Sequence, residues 1–290
     1  MMQLVDILQS SPMLCATLAG IVGLLVGSFL NVVIYRLPVM MHRNWRKDSL
    51  EYLELPAETS AEPFNLVLPL SRCPSCATPI KPYQNIPVIS YLALQGKCAT
   101  CNDPISVRYP LIETLTAILS MIVAWHFGCN PQTLFALFLT WSLIALSFID
   151  IDHHLLPDSI TLPMLWLGLL LNVFDFYTDS HASIIGAVSG YLALWTVYHL
   201  FKLATGKEGM GFGDFKLLAM FGAWLGWQVL PLIILLSSLV GTIISITIII
   251  VAKRDHTVPI PFGPYLAVAG WIALIWGAEI NKLYLNSIGL

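Results

Sequence analysis

Apolar residues along this chain gather into long runs separated by short polar stretches. Crossing the hydrocarbon core of a bilayer takes about 20 mainly apolar residues. Runs of that order occur at about 14–36, 110–127, 131–149, 159–176, 182–203, 214–228, 229–252 and 260–280. The pattern predicts an all-α polytopic membrane protein with about eight transmembrane helices. The sixth run is short and carries Lys216, Gly222 and Gly226. That composition suits a helix that is tilted, broken or buried among other helices better than one facing lipid.

One sizeable polar stretch interrupts the pattern, from residue 37 to about 109. It divides the chain into an N-terminal transmembrane helix (1–36), a soluble loop domain (37–109) and a seven-helix membrane domain (110–290). The first half of the loop, near Asp48 to Pro63, is rich in Glu and Pro and reads as loop or partial helix. The second half contains a local repeat: Cys73-Pro-Ser-Cys76-Ala-Thr-Pro79-Ile80 returns as Cys98-Ala-Thr-Cys101-Asn-Asp-Pro104-Ile105.

Composition sharpens this picture. The hydrophobic set makes up 57% of the residues and charged residues 11%, against roughly 25% charged in soluble domains, which excludes an ordinary cytosolic protein. Mean hydropathy is +0.77. The net charge of −3 gives no basic surplus that would attract nucleic acid. Charge placement is more informative, because Lys and Arg gather in the cytoplasmic loops of membrane proteins. No Lys or Arg precedes Arg36, and the first loop then holds eight, from Arg36 to Arg108. Threading eight spans from there puts Lys202, Lys207 and Lys216, then Lys253 and Arg254, on the same side. Thirteen of the 14 are thereby cytoplasmic, with Lys282 alone outside. The expectation is a periplasmic N-terminus, a cytoplasmic loop domain, and a first segment that is no cleavable signal peptide, since no basic residue precedes it.

The two C-x-x-C units place four thiols, Cys73, Cys76, Cys98 and Cys101, on two tight turns, an arrangement that surrounds one Zn²⁺ tetrahedrally. The 21 residues between the pairs only lengthen the intervening loop. A thioredoxin-like redox pair is the competing reading, but no βαβ pattern surrounds either unit. With all four positions filled by protein, such a zinc is structural. Cys15 and Cys129 read as small apolar residues.

Carboxylates at membrane depth need a reason, because each costs at least about 2.5 kcal/mol near the bilayer centre. Asp150 closes the third run and Asp214 opens the sixth, and the charge-derived topology puts both at the cytoplasmic side. Two carboxylates sharing a proton suffice for peptide hydrolysis: one activates water while the other polarises the scissile carbonyl. Asp152 and Asp158 read as members of a polar loop, and His153 and His154 as solvated. If Asp150 lies at a helix C-terminus and Asp214 at a helix N-terminus, the helix dipoles favour the shared proton on Asp150.

These blocks occur in order along the chain: Gly27-Ser28-Phe29-Leu30-Asn31 through Arg36-Leu37-Pro38, the paired C-x-x-C, Ile149-Asp150 with Leu155-Leu156-Pro157-Asp158, Gly209-Met210-Gly211-Phe212-Gly213-Asp214, and Pro259 to Pro264. Together they resemble the bacterial type IV prepilin peptidases over essentially the whole chain. The resemblance implies a bifunctional inner-membrane aspartyl protease. Such an enzyme removes the basic leader from type IV prepilins and type II secretion pseudopilins after a glycine, then methylates the new N-terminal amine with S-adenosylmethionine. It places the catalytic aspartates on Asp150 and Asp214 and the zinc ligands on the four cysteines. The methyltransferase site follows from no motif, and the surroundings of Asn31 and Arg36, or the zinc loop, are its candidates. Arg36 also suits an interfacial anchor and Asn31 a helix-packing hydrogen bond. The alternative is a proton-coupled transporter with a structural zinc site, for which Glu113, early in the second run, is the best residue.

Overall fold

The structure, a computed structural model, describes residues 11–56, 63–252 and 260–287. Lys253, Arg254 and Pro259, and part of the Glu-rich stretch before Pro63, lie outside the described residues. Eight long helices follow the apolar runs. They are α1 (Pro12–Tyr52), α2 (Arg108–Phe127), α3 (Pro131–His153), α4 (Asp158–Asn172), α5 (Ser180–Thr205), α6 (Phe212–Leu225), α7 (Leu230–Ala252) and α8 (Gly263–Ser287). No extended strand occurs among the described residues; pairing is limited to two isolated bridges beside the cysteine turns.

All eight expected runs form helices, but they differ in length. Six helical segments among the described residues are long and apolar enough to cross a membrane. The other two, α4 with 15 residues and α6 with 14, reach only about 21–23 Å at 1.5 Å per residue, short of the roughly 30 Å core. The chain is a multi-pass membrane protein whose sixth run is a buried helix: every residue from Phe215 to Trp224 is buried except Lys216. At the other extreme α1 continues well past Arg36 to Tyr52, through Pro38.

The chain forms two compact units, 1–141 and 142–290, so that the division falls within α3. The N-terminal helix and the loop domain both belong to the first unit, together with α2. In that unit α1 packs along α2 through small residues. A Cβ at Gly23 would lie 2.7 Å from Ser120 Oγ, and one at Gly27 2.7 Å from the Glu113 Cα, so only glycine permits this approach. Asn31 Nδ2 donates across the pair to the Tyr109 carbonyl at 3.3 Å, as a helix-packing hydrogen bond. Arg36 is buried and its guanidinium donates to the carbonyls of Asn65 (2.9 Å) and Pro69 (2.5 Å). It thereby fastens the loop strand preceding the first cysteine turn, a more specific task than interfacial anchoring.

Cys15 and Cys129 depart from their expected role. They form a disulfide, with Cα atoms 5.9 Å apart, joining the first turn of α1 to the turn after α2.

In the second unit α6 is the central element. Gly186 of α5 and Gly222 of α6 meet backbone to backbone: a Cβ on either would collide with the other's carbonyl oxygen. The carbonyls ending α6 would be costly if buried unpaired. Asn172 Nδ2 donates to those of Ala223 (2.8 Å) and Trp224 (3.0 Å), and Ser183 Oγ to that of Ala223 (2.6 Å). Trp224 Nε1 donates to the Met164 carbonyl of α4 at 2.7 Å. Fixing the far end of α6 in this way sets the position of its first turn, where Asp214 lies.

Candidate active site and cysteine cluster

Asp150 occupies the last turn of α3 and Asp214 the first turn of α6. Both are buried, at 6% and 7% exposure, and they lie within electrostatic range of one another. The fold thus brings together two carboxylates separated by 64 residues of chain.

A contact that sequence reasoning missed holds Asp150. The backbone N–H of Gly263, the first residue of α8, donates to Asp150 Oδ2 at 3.0 Å. A Cβ at Gly263 would stand 2.7 Å from the same oxygen, so a side chain there would displace the carboxylate. Leu156 fits between the glycines of the site, its side chain against the positions where a Cβ would stand on Gly213 and on Gly263. Asp214 Oδ1 is buried with no hydrogen-bond partner among the described residues, and its carboxylate lies beside Gly211, whose lack of a side chain leaves that approach open. The site therefore consists of two carboxylates lined by glycine backbone and one leucine.

This contact changes the electrostatic balance between the two carboxylates. Asp150 does sit at the C-terminal end of its own helix and Asp214 at an N-terminal end, as expected. Asp150 is also at the N-terminus of α8, and a hydrogen bond to a charged group contributes about 1.5–3 kcal/mol, more than the 0.3–1 kcal/mol of a helix terminus. Helix ends alone therefore do not distinguish the two carboxylates.

The neighbouring charges take structural roles. Asp158, in the first turn of α4, accepts from Lys216 Nζ with both oxygens at 2.7 Å and ties the start of α4 to that of α6. His154 donates its backbone N–H to the Asp150 carbonyl at 2.9 Å as the helix ends. No group of three or more ligating side chains among the described residues includes a histidine.

In the first unit the two C-x-x-C units fold as a repeat in three dimensions. Cys73 N–H donates to the Thr78 carbonyl and Ala77 N–H to that of Cys73. The second turn matches bond for bond, from Cys98 to Asp103 and from Asn102 to Cys98. Ala77 and Asn102, each following the second cysteine of its pair, both have positive φ, 57° and 58°. Ser75 Oγ donates to the Asp103 carboxylate and couples the two turns. All four sulfurs lie within 4.8 Å of one another, and Cys73 Sγ is 3.8 Å from Cys101 Sγ. Sulfurs at about 2.3 Å from a tetrahedral ion are about 3.8 Å apart, so the cluster fits a metal ion. The electrostatics agree. The Thr78 hydroxyl and backbone lower the Cys76 thiol to about 6. Cys101, despite a backbone hydrogen bond with Asp103 that favours its thiolate, is pushed up to about 12 by burial and by the neighbouring thiols. The Cys101 thiol thus keeps a proton that its neighbours share, which a bound cation would displace in favour of thiolate.

Comparisons with known proteins cover both units. Residues 21–127 match the bacterial peptidase A24 N-terminal domain, and residues 137–246 match the type IV leader peptidase family. Proteins named prepilin leader peptidase/N-methyltransferase align nearly end to end. That of Stutzerimonas stutzeri is 57% identical over 282 residues, covering 97% of this chain and 98% of its own. That of Pseudomonas aeruginosa PAO1 is 56% identical over 288 residues, covering 99% of each. The Legionella pneumophila protein is 45% identical, covering 92% of this chain and 93% of its own. No solved structure matches the chain. With both units matched by the family's domains and close relatives aligned over almost its full length, this chain belongs to the type IV leader peptidase family.

Proposed function

We propose that this protein removes the basic leader from type IV prepilins and type II secretion pseudopilins after a glycine, using Asp150 and Asp214, and then N-methylates the exposed residue with S-adenosylmethionine. The observation that carries the peptidase reading is the pairing of two buried carboxylates on opposite helix ends, with Gly211 leaving the approach to Asp214 open. One aspartate, ionised, takes a proton from water; the other, protonated, donates to the scissile carbonyl oxygen as the hydroxide adds. Proton return to the departing amine then completes hydrolysis. Gly211, with no side chain beside the Asp214 carboxylate, leaves room there for an extended substrate backbone. The relatives' name carries the methylation reading.

In the same reading the four cysteines hold a structural Zn²⁺, which would fix the two turns of the loop domain relative to one another. All four positions of a tetrahedral shell are taken by protein, so the ion supplies folding energy and not an open coordination site. We place the protein in the bacterial inner membrane with its N-terminus in the periplasm. Two features support that orientation: the distribution of Lys and Arg, and the Cys15–Cys129 disulfide, which suits an oxidising compartment. A proton-coupled transporter is disfavoured by the family membership and by the position of Asp150 and Asp214 at helix ends rather than mid-helix.

The test is incubation of the purified protein with a synthetic prepilin, with and without S-adenosylmethionine, followed by mass analysis of the products. Cleavage after glycine in both, with a single methyl added only in the second, is expected. An intact substrate overturns the peptidase reading, and an unmethylated product in the second sample overturns the methyltransferase reading.

A further inference from the structure

One buried carboxylate takes no part in this chemistry. Glu113, in α2, is 8% exposed, and among the described residues no Lys or Arg pairs with it. Its partners are neutral donors. The Val88 N–H donates to Oε2 at 2.8 Å, and the Ser28 hydroxyl of α1 hydrogen-bonds to the carboxylate. A carboxylate accepts about four hydrogen bonds, so these two leave capacity for a further donor. A buried anion held only by neutral groups is complementary to a cation.

The donor at Val88 is held there against its preference. Val88 has φ 59° and ψ −47°, outside the comfortable regions for a β-branched residue. It is the centre of a γ-turn closed by Ile89 N–H to the Pro87 carbonyl at 2.5 Å. Backbone held in such a conformation marks ligand clamps and active sites more often than plain loops.

Two neighbours of the buried carboxylate, Ser28 and Pro87, line a cleft of about 250 Å³ together with Leu25, Phe29, Val32 and Asn85, and Glu113 lies behind that lining. Ser28 touches the carboxylate directly, and Pro87 precedes the residue whose amide does. The remaining lining from α1 is apolar. The volume falls below the 300–1,000 Å³ of sites that enclose a whole drug-sized ligand. It suits a single large side chain with its attached amine better than a nucleoside sulfonium.

We infer that this cleft receives the new N-terminal residue of the cleaved product, with its apolar side chain against Leu25, Phe29 and Val32 and its α-ammonium on Glu113. The inference rests on the methyltransferase reading and names its acceptor site. Glu113 takes one proton from the ammonium and becomes neutral. The resulting amine lone pair forms a bond to the methyl carbon of S-adenosylmethionine as the carbon–sulfur bond breaks, its electrons passing to sulfur. A secondary ammonium and a neutral thioether result, and Glu113 returns its proton to solvent. Glu113 is in this account the catalytic base of methylation and has no part in cleavage.

The experiment uses the full-length protein in detergent or liposomes with a pre-cleaved peptide that begins with a free apolar residue. A benzophenone amino acid at that first position is expected to cross-link to residues 25–32 or 85–88, and an excess of the unlabelled peptide to suppress the cross-link. Glu113→Gln should lower methylation at least about 100-fold while cleavage of full-length prepilin continues, which also reports on folding. Phe29→Trp, which narrows the cleft, should slow methylation of a peptide beginning with Phe more than one beginning with Ala. Cross-links confined to other regions overturn the inference. So does methylation by Glu113→Gln near the wild-type rate, or loss of both activities together in that variant. If the wild-type protein itself adds no methyl group, the methyltransferase reading fails first and the acceptor site falls with it.

Discussion

The main-chain amide of Gly263 donates to Asp150 Oδ2 at 3.0 Å, across 113 residues of sequence. The N-terminus of α8 thus holds the carboxylate that ends α3, and glycine is required where the two meet. Gly263→Ala would place a methyl group 2.7 Å from that oxygen. Displacing a reacting group by about 1 Å can cost about 10²-fold in rate. We expect kcat for prepilin cleavage to fall by about that factor with KM little changed, measured on protein with wild-type melting temperature. Wild-type kcat in this variant would remove Gly263 from the positioning of Asp150.

The four-cysteine cluster should hold about one zinc per chain, read by elemental analysis of protein purified without chelators. Cys73→Ser or Cys98→Ser leaves three thiolates and an incomplete shell, so zinc content should fall well below one and proteolysis within residues 63–107 should accelerate. Four intact cysteines without zinc would favour a redox role.

The cysteine turns and the aspartate pair were legible in the sequence because each leaves a mark that spacing or cost makes visible. The C-x-x-C-x-x-Pro-Ile repeat encodes two copies of one turn, down to positive φ at Ala77 and Asn102. Asp150 and Asp214 stood out because charge at membrane depth is expensive. Gly263 was not legible in this way. Its contribution is a backbone N–H, which any non-proline residue has, and only the fold brings it to Asp150. The length of α1 was hidden by the switch to polar residues after Arg36, where the apolar run ends but the helix does not. The shortness of α4 and α6 was not legible either, because apolar content reports burial in protein and in lipid alike. The buried face of α6 includes Phe215, Leu217, Leu218, Met220, Phe221 and Trp224.

Cys15 and Cys129 were misread because each is surrounded by apolar sequence and 114 residues separate them. The proposed orientation would put both at the periplasmic ends of their helices, where thiols oxidise. Mass mapping of non-reduced protein from membranes should recover a peptide pair joined through these residues, with the other four cysteines open to alkylation after metal removal. Cys15→Ser should lower the melting temperature by several degrees and leave cleavage of prepilin within a few-fold of wild type. Free thiols at both positions in freshly isolated membranes would contradict the disulfide and the orientation it supports.

The central claim is that Asp150 and Asp214 act together on the scissile bond, and the most direct measurement is single-turnover cleavage of a synthetic prepilin by Asp150→Asn, Asp214→Asn and Asp152→Asn. Asparagine keeps the shape and removes the proton transfer. The account predicts that either of the first two variants, at wild-type zinc content and melting temperature, cleaves at least about 10³-fold more slowly, while Asp152→Asn stays within a few-fold of wild type. Cleavage by Asp150→Asn or Asp214→Asn at a rate near that of the wild-type protein would contradict it.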